Sequence, residues 1–115
     1  MILKREYFDY VRDMLDASTK AIQFVKEVDF GAFSKNEEKV FAVIRALEVI
    51  GEAAKNIPKS MRERYVDIPW EEIIGMRNKV IHGYFGVDLK VIWKTIHEDL
   101  PPLKANLEKI LEELK

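Results

Sequence analysis

The chain contains no cysteine. This absence excludes disulfide bonds, thiolate metal sites and cysteine nucleophiles. Histidine is also scarce, because His82 and His97 are the only two. Any acid–base chemistry that needs an imidazole near neutral pH therefore depends on one of these two residues.

An excess of positive charge is also missing. Lys and Arg total 19 and Asp and Glu total 20, which gives a formal net charge of −1. Proteins that bind nucleic acid through bulk charge are basic, so nucleic-acid binding here would have to depend on a local patch. No apolar run is long enough for a signal peptide or a membrane span, and we expect a cytoplasmic protein without membrane contact.

No segment shows the alternation of apolar and polar residues that is typical of a half-buried β-strand. Apolar residues instead recur every three or four positions along the chain, which is typical of helices. Gly31 is expected to end the first helix in a left-handed conformation. Ser34 is expected to cap the second helix, with Glu37 completing a capping box, and Asp88 to cap a later one. The pattern predicts helices over residues 4–28, 35–57, 69–82, 88–98 and 101–114, with a short basic helical turn over 59–65.

These elements predict an all-α fold, an up-and-down bundle of four long helices in one domain spanning residues 1–115. The last helix is expected to be one rod kinked at Pro101-Pro102, because its apolar stripe crosses the prolines almost unbroken and Pro101 disfavours helical geometry at Leu100. The second helix has an unusually broad apolar arc. We therefore expect it to lie centrally or to supply a subunit contact.

The motif that stands out is Met76–Phe85, which combines Arg77, His82 and Tyr84 with the helix-ending Gly83. At about 100° per residue, Arg77 falls in the middle of an apolar face. A guanidinium group there is costly unless it is paired or the face lines a polar cleft. The apolar residues within roughly 60° of Arg77 are Ile73, Ile74, Val80 and Ile81.

This chemistry suits phosphodiester cleavage. A guanidinium group binds a phosphate bidentately and stays charged, and an imidazole can take or give a proton near neutrality. In a regular helix Arg77 and His82 point about 140° apart, whereas Asn78 and His82 share a side. Two copies meeting across a two-fold axis could line one groove with two of each residue.

A structural interpretation of Arg77 remains open, in which it pairs with a buried glutamate while His82 only caps the helix. On the second helix, Arg45, Glu48, Glu52 and Lys55 form one polar strip at helical spacing. The strip is either a solvated row of ion pairs or places Glu48 or Glu52 against Arg77.

The remaining candidates favour structural roles. His97 is expected to be an ordinary surface residue, and Trp70 and Trp93 to be core anchors. Helical metal ligands need spacings of three or four, and the acidic pairs lie at adjacent positions, so we expect no metal site. The sequence has neither a phosphate-binding glycine-rich loop nor a dinucleotide fingerprint. The acidic pairs are Glu37-Glu38, Glu71-Glu72 and Glu112-Glu113.

The stretch from Arg77 to Tyr84 resembles the Arg-x4-His-x-Tyr signature of HEPN-domain proteins, and the chain looks most like the HepT toxins of HepT/MntA toxin–antitoxin systems. The flanking stretches that fit this resemblance are Arg45–Ala54, Ile68-Pro69-Trp70 and Asp99-Leu100-Pro101. The likeness thus spans most of the chain.

The resemblance implies a homodimeric, metal-independent endoribonuclease that needs no cofactor and acts on RNA. Arg77 and His82 would be its catalytic pair, with Asn78 and Lys79 as supporting phosphate or RNA contacts. Tyr84 matches the tyrosine that a minimal nucleotidyltransferase antitoxin, MntA-like, modifies with AMP to silence the toxin. The alternative is a non-catalytic HEPN module that docks a nucleotidyltransferase or a nucleotide.

Overall fold

The computed structural model describes the backbone of residues 2–82 and 88–114, and the side chains of residues 7–76 and 88–114. Every regular element in these ranges is helical, so the all-α prediction is confirmed. The elements are α1 (Ile2–Phe24), α2 (Phe30–Lys35), α3 (Glu37–Lys55), α4 (Lys59–Arg64), α5 (Trp70–His82), α6 (Leu89–Lys94), a π-helical turn (Thr95–Asp99) and α7 (Leu100–Leu114).

The core lies among the long helices. Helix α3 packs against both α1 and α5, and α1 also packs against α7, so α3 has the central position that its broad apolar arc predicts. Each long helix contributes side chains that are almost fully shielded from solvent. Among them are Val11 and Met14 on α1, Leu47 and Ile50 on α3, Ile73 on α5, and Leu107 and Ile110 on α7.

The connection between α1 and α3 differs from the prediction. Helix α1 ends at Phe24 rather than at residue 28, and the left-handed residue after it is Glu27, with φ 63°. Gly31 lies inside the short helix α2. That helix begins there because the side chain of Asp29 accepts a hydrogen bond from the Ala32 N–H at 2.8 Å, as an N-cap does.

Helix α3 also begins differently from the prediction. Ser34 lies within α2 and donates its hydroxyl hydrogen bond to the Gly31 carbonyl, so it cannot cap the next helix. The cap is Asn36, whose side-chain oxygen accepts from the Lys39 N–H at 3.1 Å. Lys39 in turn donates from Nζ to the Phe24 carbonyl at 2.9 Å, which ties the start of α3 to the end of α1.

The last three elements follow one another without a gap, as a single rod. The irregular part is the π turn just before Pro101 and Pro102, where the Leu100 N–H donates to the Thr95 carbonyl. Proline lacks the N–H of a regular helix and clashes with the carbonyl four residues earlier, and a wider turn relieves both problems. Leu100 is therefore helical (φ −71°, ψ −38°) and fully buried, whereas Pro101 predicted that a helical conformation would be disfavoured at Leu100.

Asp88 caps α6 as predicted, because its side chain accepts from the Lys90 N–H at 3.1 Å. Helix α2 packs onto this helix through Phe30 and Phe33, whose rings lie 5.8 Å and 5.2 Å from the Trp93 ring. Within the part of the chain that is described, no helix combines the length and the apolar character needed to cross a bilayer.

Candidate active site on helix α5

Helix α5 carries the predicted motif, and its start follows from local sequence. Pro69 precedes the helix, and its carbonyl accepts the Ile73 N–H at 3.1 Å. Glu71 and Glu72 occupy the first turn, where the helix dipole favours negative charge. The backbone remains helical to His82, so Arg77, Asn78, Lys79 and His82 all occupy register positions in the second half of one helix.

Tyr65 connects the start of α5 to two other elements. Its carbonyl accepts the Trp70 Nε1–H at 2.9 Å, and its hydroxyl donates to Glu113 near the end of α7 at 2.6 Å. Burial of the hydroxyl, followed by the hydrogen bond and the charge of Glu113, raises the pKa of Tyr65 above 10.0. Tyr65 therefore links the start of α5 to the end of α7.

The inner face of α5 is apolar and well buried. Trp70 is 7% exposed, Ile73 is 2% exposed and Met76 is 8% exposed. Because successive residues turn by about 100°, Arg77 lies about 40° from Ile73 around the helix axis. The register position of Arg77 is therefore on the side of α5 that packs towards the core, as the apolar pattern predicts.

The outer face of α5 contains the other predicted residues. The register positions of Asn78 and His82 lie within about 40° of each other, on the side where Glu71 is exposed and Gly75 is half-buried. The helix thus separates Arg77 from His82 by about 140°. One copy of α5 therefore does not bring the two catalytic candidates to one side.

The polar strip on α3 is partly shielded from solvent. Glu48 and Glu52 are half-buried on α3, whereas Arg45 and Lys55 of the same strip are exposed. The strip is therefore not uniformly solvated, as the interpretation of a solvated row of ion pairs requires.

A cleft of about 170 Å³ lies beside the first half of α5. Helix α5 forms one wall, and the π turn with the beginning of α7 forms the other. Four carboxylates line it, and such a charge repels RNA phosphates. Among the described residues, the lining of the cleft follows α5 as far as Met76. The acidic lining residues are Asp67, Glu72, Glu98 and Asp99.

The structure places the remaining candidates in structural roles. The exposed His97 donates from Nδ1 to the Trp93 carbonyl at 2.8 Å and its ring lies 4.2 Å from the Trp93 ring. Trp70 is buried and Trp93 packs against the core. No group of three acidic or histidine ligands that could hold a metal occurs among the described residues.

Tyr84, between Gly83 and Gly86, lies outside the described residues. One residue that sequence reasoning did not single out is Gly75, at the centre of the outer face. The sequence feature that could have identified it is a glycine inside an otherwise regular amphipathic helix. Glycine destabilises a helix interior, so its presence there suggests a requirement of packing or function.

With this geometry established, the chain can be compared with known proteins. The model of the HepT-like ribonuclease family matches residues 14–110. The chain belongs to this family, which confirms the expected resemblance and the expected ribonuclease class. The motif helix α5 lies entirely within the matched range.

Several relatives match over nearly their whole length. The probable ribonuclease HepT of Thermococcus cleftensis is 47% identical over 108 residues, which cover 94% of this chain and 98% of the relative. A Methanocaldococcus jannaschii protein with an RNase name is 45% identical over 112 residues, covering 97% of each chain. One from Caldanaerobacter subterraneus, also named as an RNase, is 42% identical over 92% of this chain and 95% of its own. No solved structure matches.

Proposed function

We propose that this protein is a metal-independent endoribonuclease of the HepT type, built as a homodimer of single-domain, up-and-down four-helix bundles. The observation that carries the proposal is the unbroken backbone of α5 to His82 in a chain of the HepT-like ribonuclease family. That helix carries Arg77, whose guanidinium group stays charged, and His82, whose imidazole can take or give a proton.

In the proposed reaction the 2′-hydroxyl of RNA attacks the adjacent phosphorus, and the bond from phosphorus to the 5′-oxygen breaks. The products are a 2′,3′-cyclic phosphate and a 5′-hydroxyl. His82 serves as the general base that takes the 2′-hydroxyl proton or as the acid that protonates the leaving oxygen. Arg77 binds the phosphate and stabilises its developing negative charge, while Asn78 and Lys79 support the substrate.

The homodimer is proposed because one copy of α5 separates Arg77 from His82. A two-fold axis would let the motif helices of two copies line one groove. The broad apolar arc of α3, with Phe41 53% exposed, supports further contact area between copies.

Control by a partner is proposed from the match of Tyr84 to the HepT signature. A minimal nucleotidyltransferase antitoxin, MntA-like, would transfer AMP from ATP to the Tyr84 hydroxyl and release pyrophosphate. Because Tyr84 is two residues from His82, the added phosphate would compete with RNA for Arg77 and block the groove by its bulk. The protein would then be the toxin of a toxin–antitoxin pair.

The decisive experiment follows cleavage of a labelled RNA by the purified protein, with and without EDTA. We expect cleavage in both conditions and fragments that carry a cyclic phosphate and a 5′-hydroxyl. His82→Ala, prepared identically, should be inactive and serves as the control for contaminating nucleases. Loss of cleavage in EDTA would contradict the metal-free mechanism.

The second candidate is a non-catalytic module that docks a nucleotidyltransferase or a nucleotide. The acidic cleft beside α5 and the net charge of −1 favour it, because both weaken RNA binding. It would be supported if the wild type and His82→Ala were equally inactive while the wild type still bound the partner.

A further inference from the structure

The cleft between α5 and the π turn combines an apolar floor with an acidic rim, and we call it the acidic cleft. Its floor is formed by the buried side chains of Ile73, Met76 and Leu103. Exposed carboxylates surround this floor, and no lysine, arginine or histidine among the described residues lines the cleft. The opening therefore offers apolar surface at its base and negative charge at its edge. The four carboxylates are those of Asp67, Glu72, Glu98 and Asp99.

The rim carboxylates have no partner within the described part of the chain. Other acidic side chains are used internally, since Asp29 and Asp88 cap helices and Glu113 accepts a hydrogen bond from Tyr65. None of the four rim side chains makes a hydrogen bond or an ion pair with a described residue. Like charges held around one opening repel one another, so a cationic ligand at the rim would relieve this repulsion.

The chemistry of the cleft favours an arginine side chain over a metal ion. No group of three acidic or histidine side chains in the described ranges could hold a metal, so the rim carboxylates are spread around the cleft. The ligand should therefore be extended, with apolar atoms for the floor and a delocalised positive charge for the rim. The aliphatic stem of arginine packs on apolar surface, and its planar guanidinium group can donate to more than one carboxylate.

An exposed apolar side chain extends this surface beyond the cleft. Val66 is 76% exposed and immediately precedes Asp67 of the rim. It lines a more open hollow that shares Pro69 and Glu72 with the acidic cleft. Exposed apolar surface rimmed by polar residues is typical of a contact with another protein. The surface therefore fits a segment in which an apolar residue is next to the arginine.

We propose that the acidic cleft and Val66 form a docking site for a second protein, which inserts an arginine side chain from an exposed segment into the cleft. The guanidinium group lies between the rim carboxylates, and its stem packs on Ile73 and Leu103. A neighbouring apolar side chain of the same segment covers Val66. This inference depends neither on ribonuclease activity nor on AMP transfer or a homodimer.

The acidic cleft lies away from the proposed catalytic residues. The α5 residues that line it recur at spacings of three and four, so they share one side of the helix. The register positions of Asn78 and His82 are about 170° and about 130° from the middle of that side. Docking and catalysis would therefore use different sides of α5.

The first experiment titrates the whole isotope-labelled chain with the peptide acetyl-Gly-Arg-Leu-Gly-amide and follows the backbone amide signals by NMR. We expect saturable shifts of Ile73, Leu103 and Asn106, which line the cleft. In the control peptide citrulline replaces arginine, because it has nearly the same shape without the charge. This peptide should bind at least tenfold more weakly. Equal binding of the two peptides, or no saturable shift at millimolar concentration, would overturn the proposal.

Removal of charge from the rim tests where the peptide binds. The double variant Glu98→Gln with Asp99→Asn should raise the Kd for the arginine peptide at least tenfold. The matched control, Glu38→Gln with Glu108→Gln, removes the same net charge from exposed positions outside the cleft and should bind like the wild type. Unchanged amide signals outside the cleft show that each variant is folded. Equal weakening in both variants would mean that net charge attracts the peptide, and the assignment would be wrong.

The role of Val66 is tested separately. Val66→Ser should weaken binding of the arginine peptide several-fold, because the leucine of the peptide loses its apolar contact. Val91→Ser changes another exposed valine that does not line the cleft, and it should bind like the wild type. Binding by Val66→Ser that equals the wild type would remove Val66 from the docking site.

The other possible occupants give different results. Displacement of the arginine peptide by lower concentrations of Mg²⁺ or spermidine would identify a site for small cations. Shifts of the same amides by an RNA oligonucleotide, whose phosphates the rim should repel, would identify an RNA surface. A weaker homodimer of Glu98→Gln with Asp99→Asn in analytical ultracentrifugation would identify a contact between copies. Each of these three results would overturn the docking of a second protein.

Discussion

The two halves of helix α5 differ in the residues that they carry. In the first half, Trp70, Ile73 and Met76 are buried, and Trp70 is hydrogen-bonded to the Tyr65 carbonyl. The second half carries the proposed catalytic residues Arg77 and His82. The comparison teaches that the core contacts of the first half fix the helix on which the proposed catalytic residues lie. Substitutions in the two halves should therefore have separable effects on stability and on cleavage.

The largest expected effect concerns Arg77→Ala. Loss of the guanidinium group should reduce RNA cleavage by about 10²–10³-fold, because it removes electrostatic stabilisation of the transition state. The free energy of unfolding should change by less than about 1 kcal/mol if Arg77 faces the groove. Cleavage kinetics and chemical denaturation measure the two quantities. Arg12→Ala, an exposed arginine on α1, is the matched control and should alter neither.

The outcome of Arg77→Ala would also decide the alternative role of this residue. If the variant unfolds or loses several kcal/mol of stability, Arg77 is the partner of a buried glutamate, as expected for a broken buried ion pair. In that case the same loss should follow from removing Glu48 or Glu52 on α3, and the two halves of α5 would not be separable.

The second effect concerns Ile73→Ala in the anchored half. Removing a buried isoleucine side chain should lower the free energy of unfolding by about 2–5 kcal/mol. Denaturant titration measures this loss, and Val91→Ala, at a 47% exposed position, should change stability by less than about 0.5 kcal/mol. Under conditions where Ile73→Ala remains folded, its cleavage rate should stay within a few-fold of the wild type. A rate as low as that of Arg77→Ala would show that the halves are not independent.

A smaller effect is expected at the contact that ties the start of α5 to α7. Tyr65→Phe removes the hydroxyl that donates to Glu113 and should cost about 1 kcal/mol at neutral pH. The folded state raises the pKa of Tyr65 above 10.0, so its stabilising contribution is present below pH 10 and is lost as pH rises through the folded pKa.

The pH dependence gives this prediction its control. As the pH rises from neutral through the raised pKa of Tyr65, the wild type should lose the stability advantage that it has over Tyr65→Phe, as measured by denaturation of both proteins in parallel. Glu113→Gln keeps an acceptor and should lose less stability than Tyr65→Phe at neutral pH. An advantage that is constant across this pH range would contradict the role of the hydroxyl.

Apolar periodicity was sufficient to predict the helices, the central position of α3 and the location of the motif on α5. It failed between α1 and α3, because Asp29 and Asn36 both cap helices there, and a pattern of apolar residues does not choose among competing caps. It also failed at Leu100. The prolines predict an interruption, but the long-range packing that buries Leu100 keeps the chain helical through a π turn.

The candidate site was predictable only where its residues are neighbours in sequence. Arg77 and His82 lie within one helix, so helical geometry alone predicts their angular separation. The acidic cleft combines Asp67 with Asp99, and the contact between Tyr65 and Glu113 joins residues 48 positions apart. Such pairs depend on how the helices pack, which periodicity does not determine.

The smallest expected effect on intrinsic cleavage is at Tyr84. No proposed chemical step uses its hydroxyl, so Tyr84→Phe should retain the fold and most of the ribonuclease activity. Incubation with the partner nucleotidyltransferase, ATP and magnesium should silence the wild type but not Tyr84→Phe, because only the wild type can accept AMP at this position. Mass spectrometry should locate the adduct on Tyr84. An adduct on Tyr65 or another tyrosine, or AMP on Tyr84 with cleavage unchanged, would refute this mechanism of control, in which the phosphate attached near His82 competes with the substrate phosphate for Arg77 in the proposed groove.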